Sequence, residues 1–219
     1  MIEMENLSGK PVAIETGKKP LEGKIFLPKG AGPFPGVIFH HGRGTNMDGI
    51  LPIGEELASR GIATLGFNFS NDELKDRLLD SEHSYVWFSN QPELIWRKIG
   101  ISGSSMGAHT AVSLAHKYPI ESLVLRAPAA YLNGEFNATK DSETIQMIKN
   151  FKGALLVIES ENDDVIKPWL IDLFLNNARE ARKKEKYVIK NAGHSLGPPG
   201  SPQREELKKV IVDWFSKTL

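Results

Sequence analysis

Short apolar runs alternate along this chain with segments of helical spacing, and that alternation restricts the possible folds more than any single motif does. Gly36-Val37-Ile38-Phe39 is continuously apolar, the pattern of a strand covered on both faces. Further apolar strands are predicted at Ile62 to Phe67, Ile99 to Ile101, Leu123 to Leu125, Leu155 to Ile158 and Tyr187 to Ile189. Helical patterns fall between them. Ile50 to Arg60 carries Ile53, Leu57 and Ala58 as a buried stripe and stops at Gly61. Ala108 to Lys117 closes at Tyr118-Pro119, and shorter or weaker patterns cover Thr144 to Lys149 and Ile166 to Arg182. A last helix follows Ser201-Pro202, with Leu207, Val210, Ile211, Trp214 and Phe215 on one face and Pro202 suited to its first turn. Strands alternating with helices predict an α/β fold: a mostly parallel central sheet of about eight strands with helices on both faces.

Two stretches depart from this rhythm. Val12 to Ile14 and Gly23 to Leu27 read as short strands flanking a turn at Gly17 to Pro20, before Pro28, Gly30, Gly32, Pro33 and Pro35 break the chain. Asn68 to Arg97 lacks strong periodicity. It is expected to be a loop-rich crossover with one short helix over Asp72 to Leu79, a helical pairing of His83, Val86 and Trp87 being the alternative.

The 219 residues suit one domain over 1–219, with no repeat, low-complexity tract or linker. Equal numbers of basic and acidic residues, 27 each, give no electrostatic case for nucleic acid or an anionic membrane. The absence of cysteine excludes disulfides and thiolate catalysis and fits a cytoplasmic location. Met1 to Glu5 carries neither a basic nor an apolar leader region, so no secretory signal is expected there.

In a parallel α/β sheet, reactive groups gather beyond the C-terminal ends of the strands. Three polar residues fall at such ends, in the order Ser105, Asp163, His194. Ser105 lies within Gly103-Ser104-Ser105-Met106-Gly107, where an apolar run meets a helical pattern. A serine on such a junction has its hydroxyl pushed outward, and the flanking glycines leave room for the turn. A serine hydroxyl is a weak nucleophile and needs a base within hydrogen-bond reach. Histidine can take that proton and return it to a leaving group, and a carboxylate on its other ring nitrogen fixes the tautomer.

Over nearly its whole length the chain resembles the α/β-hydrolase superfamily, in its small serine carboxylesterase and dienelactone-hydrolase-like branches. The Gly-x-Ser-x-Gly motif is matched at 103–107, the acid segment at Glu161 to Val165, and the histidine segment at Ala192-Gly193-His194-Ser195. The resemblance implies Ser105 as nucleophile, His194 as acid/base and Asp163 as orienting carboxylate. A one-residue loop shift would exchange Asp163 with Asp164, and the family spacing favours Asp163. His40 to Gly44 looks like the family's His-Gly oxyanion loop, which implies backbone donors at Met106 and Arg43. Dienelactone hydrolases usually carry cysteine where Ser105 stands, which sets that specific activity aside.

The segment between the strands ending at Leu125 and beginning at Leu155 is short, leaving a cap-like connection around 127–150 and a minimal lid. Tyr131 and Phe136 in it, with His41 and Gly42, are candidate pocket residues. The Arg43 side chain either meets a polar or anionic substrate group or only reaches solvent. His109 and His116 read as packing and surface residues, His40 as structural, and His83 as a residue of the crossover for which substrate contact stays open. Ser102 and Ser104 lack the glycine pair. Asp141, Asp172, Glu159 and Glu161 read as solvated. His40 and His41 have no well-spaced carboxylate partner, so no metal is expected, and no cofactor. The implied reaction is cleavage of a small acyl ester or thioester by water through an acyl-enzyme. A non-catalytic ligand-binding or regulatory protein on the same fold is the alternative.

Overall fold

A computed structural model describes residues 9–219; the Met1 to Glu5 segment lies outside the described residues. The first strands, β1 (Lys10–Ile14), β2 (Leu21–Phe26), β3 (Phe34–His40) and β4 (Ala63–Phe67), are joined in one sheet by β5 (Leu94–Ser104), β6 (Ser122–Arg126), β9 (Ala154–Ser160) and β10 (Lys183–Ile189). The order across this eight-stranded sheet is β1-β2-β4-β3-β5-β6-β9-β10. Only the pairings of β1 with β2 and of β2 with β4 are antiparallel. The strands from β4 to β10 run parallel, which aligns their C-terminal ends on one edge.

Each face of the sheet has its own core. On one, α1 (Leu51–Ser59) and α6 (Pro202–Thr218) bury Ile53, Leu57, Ile211, Trp214 and Phe215 against Val37, Phe39, Val124 and Leu156. On the other, α2 (Leu74–Ser89), α3 (Met106–Lys117), α4 (Glu143–Ile148) and α5 (Pro168–Asn177) pack Phe88, Val112, Ile145 and Phe174 over Ile38, Ile101 and Leu125. The connection after β6 holds only α4 and a two-strand ribbon, β7 (Tyr131–Leu132) with β8 (Glu135–Phe136). No helix among the described residues is long and apolar enough to cross a membrane.

The loop-rich part of the expected crossover is corrected by α2, a helix of 16 residues that takes in most of the short helix expected over Asp72 to Leu79 and runs on through His83, Val86 and Trp87, as in the helical alternative. Its buried positions, Arg77, Asp80, Ser81, Ser84, Tyr85 and Phe88, follow helical spacing faithfully. Four of those six side chains are polar, so apolar periodicity marks only part of the helix. At the other end of the chain, α5 stops at Asn177 and does not reach Arg182, and β10 begins four residues before Tyr187. Lys183 to Lys186 are exposed on an edge strand, whose charged side chains hide its strand character.

Candidate active site

The parallel pairing of β3 with β5 matches His40 to Gly103, so the loop after β3 emerges beside the turn after β5. Ser104 pairs with Arg126 across β5 and β6, and Ile189 with Ser160 across β10 and β9. Five strand ends thus bring together residues far apart in sequence.

Ser105 sits at φ 53° and ψ −117°, a left-handed conformation that a serine adopts only under constraint. The turn is packed so tightly that glycine alone fits on either side. A Cβ on Gly103 would lie 2.4 Å from the Gly107 carbonyl oxygen, and one on Gly107 would lie 2.2 Å from that of His40. Three bonds anchor the turn: the Ser105 N–H donates to Arg126 O at 2.9 Å, and Ser105 O accepts from Ala108 N at 3.0 Å and Ala129 N at 3.1 Å.

His194 bridges the other two residues. Its Nδ1 lies 2.8 Å from Asp163 Oδ2, and its Nε2 lies 3.2 Å from Ser105 Oγ. With a carboxylate facing Nδ1, that nitrogen carries the proton, and Nε2 is free to accept from the serine hydroxyl. The second Asp163 oxygen, Oδ1, accepts from Val165 N at 2.9 Å and Ile166 N at 2.8 Å. Those two bonds fix the carboxylate, whose side chain is only 2% exposed. Asp164 is exposed, and only its backbone carbonyl is engaged, by Lys167 Nζ. Of the two aspartates, Asp163 is the one whose carboxylate meets His194.

Two further arginines, unmarked in the sequence, hold the histidine loop. The buried Arg126 donates from Nε to Ser104 Oγ at 2.8 Å and from Nη1 to His194 O at 2.7 Å. Burial lowers its pKa to about 10, with the nearby Asp163 charge opposing the shift. Arg204, at the start of α6, donates to Gly197 O at 2.8 Å and Ser195 O at 3.3 Å. An arginine in sequence reads as a surface residue, and only the structure reveals that Arg126 is a buried brace.

The loop after β3 runs close to the serine: a Cβ on Gly42 would lie 3.5 Å from Ser105 Cβ. The N–H groups of Arg43 and Met106 find no acceptor among the described residues. The Arg43 side chain is exposed and makes no hydrogen bond among the described residues, while its charge reaches Tyr131 and Arg77. Tyr131 is buried, its phenol pKa raised by burial, and its ring meets Phe136 at 6.3 Å. Phe136 is half exposed on the ribbon.

The remaining histidines are internal or remote. His40 Nδ1 meets Thr110 Oγ1 at 2.9 Å, and since that hydroxyl donates to Gly107 O, His40 is the donor. Burial, with the neighbouring Arg77 and His41 charges, drives its pKa down to about 3. His41 is buried against the Phe69 ring with both nitrogens engaged, and burial lowers it to about 4. His109 bonds Thr144 at 2.7 Å and is lowered to about 4 by burial, whereas His116 is exposed. His83 lines a groove with Leu79, Val86, Trp87 and Tyr118. Glu159, expected to be solvated, is instead buried and paired with Lys186 at 2.7 Å. Glu161 accepts from Lys190 and from Asn191 N.

A mostly parallel eight-stranded sheet with helices on both faces, a minimal lid and a serine on the strand-to-helix turn define the α/β-hydrolase fold, and this chain has it. The crystal structure of dienelactone hydrolase from Anabaena variabilis is similar to it at a TM-score of 0.76 and 19% identity, covering 98% of this chain and 100% of that one. Among curated proteins, the mouse bile acid-CoA:amino acid N-acyltransferase is 34% identical over 109 residues, 47% of this chain and 25% of that protein. Esterase EstD of Thermotoga maritima is 26% identical over 160 residues, 60% of this chain and 39% of the esterase. The match therefore covers well under two thirds of either relative's length. No protein-family model matches the chain.

Proposed function

We propose that this protein is a serine hydrolase of small carboxylic esters or thioesters, working through an acyl-enzyme intermediate. One observation carries the proposal: His194 stands between Ser105 Oγ at 3.2 Å and Asp163 Oδ2 at 2.8 Å. In the first step Ser105 Oγ attacks the substrate carbonyl carbon while its proton passes to His194 Nε2. Asp163 stabilises the imidazolium that forms. The tetrahedral oxyanion accepts hydrogen bonds from the N–H groups of Met106 and Arg43. Each such donor is worth about 3–4 kcal/mol in a water-excluded transition state. Collapse breaks the carbonyl carbon–leaving group bond, and His194 delivers its proton to the departing alkoxide or thiolate. Water then attacks the acyl-enzyme, again losing a proton to His194, and the acid leaves as Ser105 recovers its hydrogen.

The thin cover over the site, a ribbon and one short helix, supports a modest acyl group bordered by Gly42, Tyr131 and Phe136. His41 belongs to the wall behind them rather than to the polar contacts, since both its nitrogens are engaged. Esterases and a CoA thioester acyltransferase among the similar proteins support testing both leaving groups. The site needs no cofactor for this chemistry, and the cysteine-free composition supports a cytoplasmic location.

The test is a panel of short- to long-acyl esters, thioesters and lactones, with Ser105→Ala as control. Turnover of short-acyl substrates by wild type and none by the variant is expected. A folded wild-type protein that turns over no member of the panel would move the reading to a ligand-binding protein on this fold.

A further inference from the structure

We infer that the Arg77–Asp72 pair on and before α2 is the positioning device for one oxyanion donor, holding the Gly42–Arg43 peptide so that its N–H is presented beside Ser105. The inference rests on the reading of the Arg43 N–H as an oxyanion donor. It adds the residues that aim that group.

The C=O of Gly42 and the N–H of Arg43 belong to one peptide group, and in a trans peptide the two point in opposite directions. Whatever pins the carbonyl therefore aims the N–H. Gly42 O receives His41 Nδ1–H at 2.9 Å, the Thr45 hydroxyl at 3.0 Å and Arg77 Nη1 at 3.5 Å. His41 must donate there from Nδ1, because its Nε2 accepts from the Phe69 N–H at 3.2 Å. Its lowered pKa, caused first by burial, keeps the ring neutral and preserves that tautomer. The preceding carbonyl, His41 O, is held by Arg77 Nη2.

On the far side of residue 43, the Gly44 N–H donates to Asp72 Oδ2 at 2.9 Å, while Asp72 Oδ1 takes Arg77 Nη1 at 2.8 Å. One ion pair thus grips the loop at residues 41, 42 and 44. It leaves the N–H at 43 unclaimed among the described residues. The geometry parallels that of the other donor, where Ser105 O is pinned by Ala108 and Ala129 and the Met106 N–H of the same peptide is left open.

Arg77 is poorly suited to a purely stabilising role. Its side chain is fully buried over the Phe69 ring, 3.9 Å from the centroid, against a counter-ion that is 44% exposed. Its Nε has no hydrogen-bond partner among the described residues. Burying such a group costs stability that an apolar residue would not. The planar fork, reaching two successive carbonyls at once, is what an apolar residue or a lysine cannot supply.

The experiment compares Arg77→Met, Arg77→Lys and Asp72→Asn with wild type by steady-state ester hydrolysis, by inhibition with a short alkyl trifluoromethyl ketone, and by crystal structure. Arg77→Met should lower kcat about 10- to 100-fold with KM held within about twofold. Ketone affinity should fall by a similar factor, since the ketone's oxyanion uses the same donor. The 42–43 peptide should turn in the crystal. Arg77→Lys should rescue only part of the loss, and Asp72→Asn should show a smaller effect of the same kind. Asp72 is half exposed, so its variant keeps the question answerable where Arg77→Met does not fold. A folded variant whose 42–43 peptide keeps its orientation, or whose kcat is unchanged, overturns the inference. The hydrolase reading fails separately, on a wild-type protein that neither turns over esters nor binds the ketone, and the peptide orientation is read in either case.

Discussion

The two sides of the Ser105 turn are built in different ways. On the His194 side the groups of the proposed mechanism are side chains, joined by hydrogen bonds of 2.8 and 3.2 Å and presented by the ends of β5, β9 and β10. On the Arg43 side the groups proposed to act are backbone N–H groups, and the side chains around them bond to carbonyls. A buried arginine braces each side, Arg126 holding His194 O and Arg77 holding His41 O. The comparison teaches that chemistry carried by side chains depends on residue identity, while chemistry carried by backbone depends on whatever orients a peptide plane.

Substitutions on the His194 side should therefore have the larger effects. His194→Ala is expected to lower kcat by about a million-fold or to the detection limit, since the members of such a unit act together. Asp163→Asn should cost about 10⁴-fold, through the wrong tautomer on His194 with the geometry kept. Both are read by ester hydrolysis with circular dichroism as the folding control. Full activity in a folded His194→Ala protein would break the comparison on its first side.

Next in size stands Arg126→Met. It removes donors to His194 O and Ser104 Oγ, and a kcat loss of about 10- to 100-fold with destabilisation of about 1–3 kcal/mol is expected. A stability loss with unchanged kcat would show that the brace serves the fold alone.

The buried histidines predict a pH effect that is weaker per residue and general to the fold. His40, His41 and His109 have folded-state pKa values pushed down to about 3, 4 and 4 from 6.5. Below pH about 6.5 the unfolded chain binds protons that the folded chain does not, so stability rises with pH in that window and is lost as pH falls towards 4. The slope is up to about 1.4 kcal/mol per pH unit for each histidine. Chemical denaturation at pH 7 and pH 5 reads it, and His109→Gln should flatten the slope by one histidine's share. An unchanged slope in that variant would contradict the assignment. The smallest effect is expected from Asp164→Asn, within about twofold of wild type in kcat/KM, because its carboxylate is exposed and touches none of the reacting groups.

What could be read in the sequence follows the same division. Ser105, Asp163 and His194 each sit after an apolar strand, their order together with the family resemblance named them, and the fold brings the three side chains within hydrogen-bond distance. The loop at 41–44 was legible as a motif, but the device that orients it was not. Asp72 and Arg77 fall in the short helix expected over Asp72 to Leu79, but the buried face of α2 is mostly polar, and nothing in that pattern marks Arg77 as facing inward. Arg126 is illegible for a related reason: nothing in a sequence distinguishes an arginine that reaches solvent from one that ties two loops together. Glu159 reads as solvated for the same lack of signal, and is buried against Lys186.

The most direct test of the central claim, that Ser105 is an activated nucleophile, is covalent labelling by a fluorophosphonate followed by peptide mass spectrometry. A single adduct on the Ser105 peptide of wild type is predicted, absent in Ser105→Ala and strongly slowed in His194→Ala. A folded wild-type protein that remains unlabelled, or one labelled equally well after Ser105→Ala, would contradict it.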